Sequence, residues 1–127
     1  MGADDAEAVV LALCDAFGRH DAQVLRQYLS DDVVYHNIPM DPAVGIEATI
    51  SAIEGFFGMF DSMEIETTHI ASRGNVVLTE RIDTFTLGDL VAPLPVMGTF
   101  ELRDGLVFAW RDYFDLAQVT AMLSGAG

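Results

Sequence analysis

Apolar positions recur along this chain at two different periods, and the change from one to the other comes near its middle. The first half repeats at helical spacing. Val9, Val10, Leu13 and Phe17 return every three or four residues, which predicts a helix over residues 4–18. Asp4 followed by Glu7 has the form of a capping box at its start. Asp21 can cap a second, short helix over residues 21–29, with Leu25, Tyr28 and Leu29 turned inward. Residues 33–37 read as a short strand, which Pro39 and Pro42 end. Ile46, Ile50, Ile53, Phe57 and Phe60 then mark an amphipathic helix over residues 45–60.

The second half alternates with period two. Residues 63–71, 76–87, 94–102 and 106–114 each read as strands, joined at Gly74-Asn75, Gly88-Asp89 and Asp104-Gly105. Asp104-Gly105 is the strongest hairpin signal, because a two-residue turn needs positive φ at both positions. Asp115 with Gln118 forms a capping signature for a last short helix ending near Leu123. Helices first and a meander of strands after predict a single α+β domain over residues 1–127. Its helices pack on one face of a curved antiparallel or mixed sheet, and an apolar cavity lies between the two layers.

Alternation also sorts side chains onto faces. Val77, Arg81, Asp83 and Phe85 share one face of their strand, and Phe108, Trp110, Asp112 and Phe114 share one face of theirs. Ionisable groups among large apolar neighbours belong in an apolar space, where charge is costly unless paired. Asp112, between Trp110 and Phe114, is hardest to place in water. Arg81 with Asp83 also fits an exposed cross-strand pair, but Val76, Leu78 and Ile82 make the opposite face apolar too, as at an interface. Tyr35 and Asn37, two apart on the first strand, share a face. Parity sets Phe85 beside Asp83 and Phe114 beside Asp112. Leu94 and Val96 line the neighbouring strand, and Phe56, Phe60 or Met59 cover the space from the long helix.

Composition narrows the partners. The chain has 127 residues, 51% of them hydrophobic, which suits one well-cored domain. No stretch nears the roughly 20 apolar residues of a bilayer span. Six basic against twenty acidic residues give a net charge of −14, which repels phosphate backbones and argues against nucleic acid. The lone Cys14 lies on the helical face of Val10 and Phe17, reads as core and excludes an intrachain disulfide. An acidic start without a signal-peptide pattern makes the cytoplasm the default location. His36 points away from Tyr35 and Asn37, and His69 has no second ligand at metal spacing, so no metal site is expected. Ser30, Ser51 and Ser62 lack the Gly-x-Ser-x-Gly context of a nucleophile elbow.

Three segments together carry a family resemblance: Tyr35-His36-Asn37, Thr79-Glu80-Arg81-Ile82-Asp83 and Trp110-Arg111-Asp112-Tyr113-Phe114-Asp115. In this order and spacing the chain resembles the limonene-1,2-epoxide hydrolase family, a branch of the fold shared with nuclear transport factor 2, ketosteroid isomerase and SnoaL-like proteins. Pro39, Gly45, His69-Ile70 and Gly98-Thr99-Phe100 also fall where that family places similar residues, and the likeness runs from about Val34 to Leu116. The resemblance implies a cone-shaped fold with a deep apolar pocket. It implies an enzyme that adds water to a small lipophilic epoxide in one step, with no cofactor and no covalent intermediate. By the same resemblance Asp112 is the general base, Tyr35 and Asn37 help hold the water, Asp83 is the general acid, and Arg81 orients both aspartates. A homodimer is implied as well, and the residues agree: Leu78 and Ile82 beside Glu80 make the outer face of the sheet too apolar for a free surface, so the sheet is the expected contact. Two other functions fit the fold: an isomerase or cyclase using a carboxylate base with Tyr and Asp donors, and a ligand-binding module without catalysis.

Overall fold

Ala6, Val10, Leu13, Cys14 and Phe17 form one buried stripe, and that stripe folds Ala3–Phe17 into helix α1. A computed structural model gives the structure of residues 3–125, with side chains described for 5–124; the Asp4 side chain of the expected capping box lies outside the described residues. Asp21 accepts a hydrogen bond from the Gln23 N–H at 3.0 Å and starts a helical segment over Ala22–Tyr28. The segment winds as a 3₁₀ helix rather than an α-helix, the form that short connectors adopt.

Strand β1 (Leu29–Asn37) follows, then the two-residue strand β2 (Ala43–Val44) and helix α2 (Ile46–Met59). Gly45 stands at the head of α2 with φ of 93°, a conformation that favours glycine. Four long strands complete the sheet: β3 (Ser62–Arg73), β4 (Val76–Leu87), β5 (Leu90–Arg103) and β6 (Leu106–Tyr113). Helix α3 (Leu116–Gly125) closes the chain, with the Asp115 carboxylate accepting from the Ala117 N–H at 2.9 Å. Asp104 and Gly105 both have positive φ, 53° and 81°, as their hairpin requires.

The sheet order is β2-β1-β6-β5-β4-β3. It is mixed: β3 to β6 form an antiparallel meander, while β1 returns from the other end of the sequence and pairs with β6 in parallel. Strand β5 begins four residues earlier than its hydrophobic alternation indicates, because Pro93 and Pro95 fall inside it. These prolines pair with Thr84 and Ile82 of β4, but β6 meets β5 only from Met97 onward. That part of β5 is an edge, where a missing N–H breaks no ladder bond.

The face of Trp110 and Asp112 does not extend to Phe108 as strict alternation predicts. The register slips between Glu101 and Leu102, so Glu101 pairs with Ala109 and Leu102 with Val107. The bulge turns Val107 into the core and leaves Phe108 half-buried, with the Arg103 guanidinium 4.8 Å over its ring.

The core lies between α1, α2 and the concave face of the sheet. Trp110 is its centre, in ring contact with Tyr35 at 4.6 Å, Phe100 at 5.4 Å and Phe17 at 6.0 Å between centroids. Phe17 in turn meets Phe57 of α2 edge-on at 4.9 Å. A cavity adjoins this aromatic cluster, and Phe17 and Tyr35 belong to its lining.

Candidate active site

Strand register builds the site. Asp83 of β4 lies opposite Leu94 of β5, and Arg81 lies opposite Val96. Further along, Gly98 of β5 pairs with Thr79 on one side and Asp112 of β6 on the other. The Arg81 side chain therefore lies across β5 at Gly98 and reaches Asp112 two strands away. Its guanidinium bridges the carboxylates. Nε donates to Asp83 Oδ1 at 3.1 Å and Nη2 to Asp83 Oδ2 at 2.9 Å. Nη1 and Nη2 donate to Asp112 Oδ1 and Oδ2, both at 3.0 Å. Side-chain exposure is 0% for Arg81, 12% for Asp83 and 6% for Asp112, so the surface-pair alternative for Arg81 and Asp83 is excluded.

The two carboxylates differ in surroundings. Asp112 Oδ1 also accepts from the Trp110 indole N–H at 3.0 Å, so Asp112 meets three N–H donors, a set matched to an ionised carboxylate. Among the described residues Asp83 receives only the two Arg81 bonds. Burial raises the Asp83 carboxyl above the usual aspartate range; Arg81 pulls it down and Asp112 pushes it further up. Burial opposes the charge on Arg81, yet the two carboxylates hold its pKa well above the ordinary arginine value. Burial, then the charge of Asp112, raises the Tyr35 phenol, which therefore stays a neutral hydrogen-bonding group.

Tyr35 and Asn37 come to the same place because β1 pairs with β6 in parallel: Tyr35 lies beside Trp110 and Asn37 beside Asp112. The Ile38 N–H donates to the Asp112 carbonyl at 2.9 Å and fixes the end of that pairing. A cavity of about 110 Å³ opens onto Tyr35, Asn37, Asp83 and Asp112. Phe56, Phe60, Phe85, Leu94, Val96 and Phe114 all line it, and Phe60 stacks on Phe85 at 5.0 Å. Every residue singled out by alternation and resemblance as a site candidate is thus gathered around one space, or directly behind it in the case of Arg81.

Sequence patterning missed part of the wall. Met40 lines the cavity from the loop after β1, and Leu116, Val119 and Leu123 line it from α3. The i, i+3, i+7 spacing of those three in the last helix is the signal that could have found them. It also missed the indole bond to Asp112 and the place of Gly98, against which Arg81, Thr79 and Asp112 converge.

Cys14 is buried behind this site, and burial pushes its thiol up to about 12, so it is a protonated core group. His36 turns outward, its Nε2 in a hydrogen bond with the Met40 carbonyl. Among the described residues no group of His, Cys, Asp and Glu is arranged to hold a metal ion, and no helix is long and apolar enough to cross a membrane.

A curved six-stranded sheet, helices over its concave face and a polar group at the base of an apolar cavity define the nuclear transport factor 2-like class of α+β proteins. A candidate SnoaL-like polyketide cyclase from Jannaschia sp. CCS1 has this fold, with a TM-score of 0.85 over 96% of this chain and 93% of its own; at 20% identity that likeness concerns the fold alone. Two relatives go further. Epoxide hydrolase EphG of Mycobacterium tuberculosis is 34% identical over 107 residues, covering 84% of this chain and 71% of that protein. The structure of an M. tuberculosis LEH-like epoxide hydrolase matches with a TM-score of 0.84 at 31% identity, over 96% of this chain and 91% of that one. The family model for the limonene-1,2-epoxide hydrolase catalytic domain matches residues 4–125. The chain belongs to the limonene-1,2-epoxide hydrolase family, and it is an epoxide hydrolase of that family.

Proposed function

We propose that this enzyme converts a small lipophilic epoxide, cyclic or aliphatic, into a vicinal diol in one step, using Asp83, Arg81 and Asp112 with Tyr35 and Asn37. The observation that carries the proposal is two carboxylates bridged by one buried guanidinium at the base of an apolar cavity. One cation offsets one negative charge, so the pair works with a single proton between its members. The donors around Asp112 suit the ionised partner, and the raised Asp83 suits the protonated one.

Asp112 takes a proton from a water held with the help of Tyr35 and Asn37. The water oxygen attacks a ring carbon, and the C–O bond on that carbon breaks. The departing oxygen takes the Asp83 proton as its charge develops, and the product leaves as a neutral diol. Asp112 then holds a proton that Asp83 lacks, and one proton transfer resets the pair. General acid and general base are each worth about 10²- to 10⁴-fold in rate, and an ordered alignment of water, ring and acid supplies more. No cofactor takes part in this cycle.

Asp83 and Tyr35 as hydrogen-bond donors would also serve an enolate in an isomerase, but an enolate site gains little from a guanidinium shared between two carboxylates. The test is diol formation from limonene oxide and cyclohexene oxide, followed by gas chromatography with wild type and Asp112→Asn side by side. Diol from the wild type alone supports the proposal. Equal rates from both proteins overturn the assigned role of Asp112.

The proposal includes a homodimer formed through the outer face of the sheet. Leu78, Val91, Met97 and Tyr113 are between 45% and 62% exposed there, a large apolar area for a free surface. A monomer in light scattering at micromolar concentration would contradict it. The single thiol, buried and protonated, fits the reducing cytoplasm as the proposed location.

A further inference from the structure

We infer that Gly98 is a positioning residue for the reaction: its missing side chain is the seat in which the Arg81 guanidinium lies. This rests on the catalytic reading above and adds a member to it. A Cβ on Gly98 would stand 2.4 Å from Arg81 Nη1, 2.8 Å from Thr79 Oγ1 and 2.9 Å from Asp112 Oδ1. Contacts below 3 Å force something to move, and here all three atoms belong to the bridged cluster or to its support. Glycine is not there for backbone freedom. Gly98 lies in the extended strand β5, outside the set of positive-φ residues, and glycine weakens a strand interior. What it supplies is room.

The room has a definite use. Arg81 and Asp112 stand on strands separated by β5, so their ion pair must cross the inner face of that strand. Val96 and Phe100 flank the crossing point two residues to either side, and Phe100 lies under the guanidinium with 5.9 Å from Cζ to the ring centroid. Nη1 is held in place by Asp112 at 3.0 Å and Thr79 Oγ1 at 3.4 Å. A methyl at position 98 therefore lifts Nη1 off Asp112 and pushes the guanidinium toward the cavity. The cavity walls that bind an apolar substrate stay where they are.

The experiment is Gly98→Ala, assayed for kcat, KM and the pH dependence of kcat on an epoxide the wild type turns over. The expected result is a loss of at least a hundredfold in kcat with KM within about threefold, together with an alkaline limb moved to higher pH. The limb moves because a displaced guanidinium compensates the carboxylates less well; damage to packing alone would leave it in place. Retention of more than a third of wild-type kcat with an unmoved limb overturns the inference. Thermal melting of Arg81→Lys with and without Gly98→Ala reads the same steric conflict even where Gly98→Ala alone does not fold. Alanine is expected to lower the melting midpoint less in the Arg81→Lys background than in wild type, because the closest contact, with Nη1, is gone while those with Thr79 Oγ1 and Asp112 Oδ1 remain. Equal lowering in both backgrounds overturns the inference. If the wild type forms no diol, the catalytic reading falls, while this melting comparison still decides whether Gly98 seats the arginine.

Discussion

Replacing Arg81 by Met removes the cation and keeps most of the volume, and its consequence should depend on pH in a definite direction. Four hydrogen bonds between 2.9 and 3.1 Å tie the guanidinium to Asp83 and Asp112, and its side chain is fully buried. Removing one partner of a buried ion pair costs about 3–5 kcal/mol, because the charge left behind is uncompensated. For a chain of 127 residues, an unfolding entropy of roughly 2.1 cal/mol/K per residue converts this to a midpoint lower by about 10–20 °C. Two carboxylates now share an apolar site without a cation, so the folded state binds protons more tightly than the unfolded chain, whose aspartates titrate near 3.9. Where the native state holds more protons, stability falls as pH rises. The deficit of Arg81→Met against wild type, measured by calorimetry, should therefore be larger near pH 8 than near pH 5, because Asp83, raised by burial, loses the guanidinium that pulls it down. A deficit equal at both values, or larger in acid, would refute the claim that Arg81 is there to compensate these two charges.

Three further expectations follow from the same geometry. Trp110→Phe keeps the aromatic cluster but removes a hydrogen bond to a charged acceptor, worth about 1.5–3 kcal/mol, and should lower kcat about tenfold; an unchanged kcat would leave the indole with packing alone. Because the reaction needs Asp83 protonated, and burial raises its pKa, kcat should fall as pH rises through that value, while a pH–rate profile rising steadily from acid to alkaline would contradict Asp83 as the acid. All six cations are arginines, and exposed Asp41, Asp61 and Asp115 adjoin the lining residues Met40, Phe60 and Leu116. An ω-epoxyheptanoate should therefore be a poorer substrate than its methyl ester, the gap narrowing with added salt; equal kcat/KM at low salt would go against this.

Strands β4 and β5 were legible because each has one buried face, so period two is written directly in Val77, Thr79, Arg81 and Asp83. Face-sharing by Tyr35 with Asn37, and by Trp110 with Asp112, follows from the same alternation. What alternation cannot carry is register between strands distant in sequence. That Asn37 meets Asp112 depends on a parallel pairing across most of the chain, and that Gly98 lies between Arg81 and Asp112 depends on two registers at once. The Phe108 error has the same origin: one bulged residue reverses parity, and nothing in Leu106-Val107-Phe108 announces it. The α3 wall was missed for another reason. Its apolar positions give the helix but not the surface it covers.

The most direct test of the account is a single turnover in isotopically labelled water, with enzyme in excess over epoxide, followed by mass analysis of both diol and protein. Attack by water activated at Asp112 puts one labelled oxygen in the diol and none in the protein. Label in an aspartate carboxyl, with unlabelled diol from the first turnover, would mean a covalent ester intermediate and would contradict the one-step mechanism.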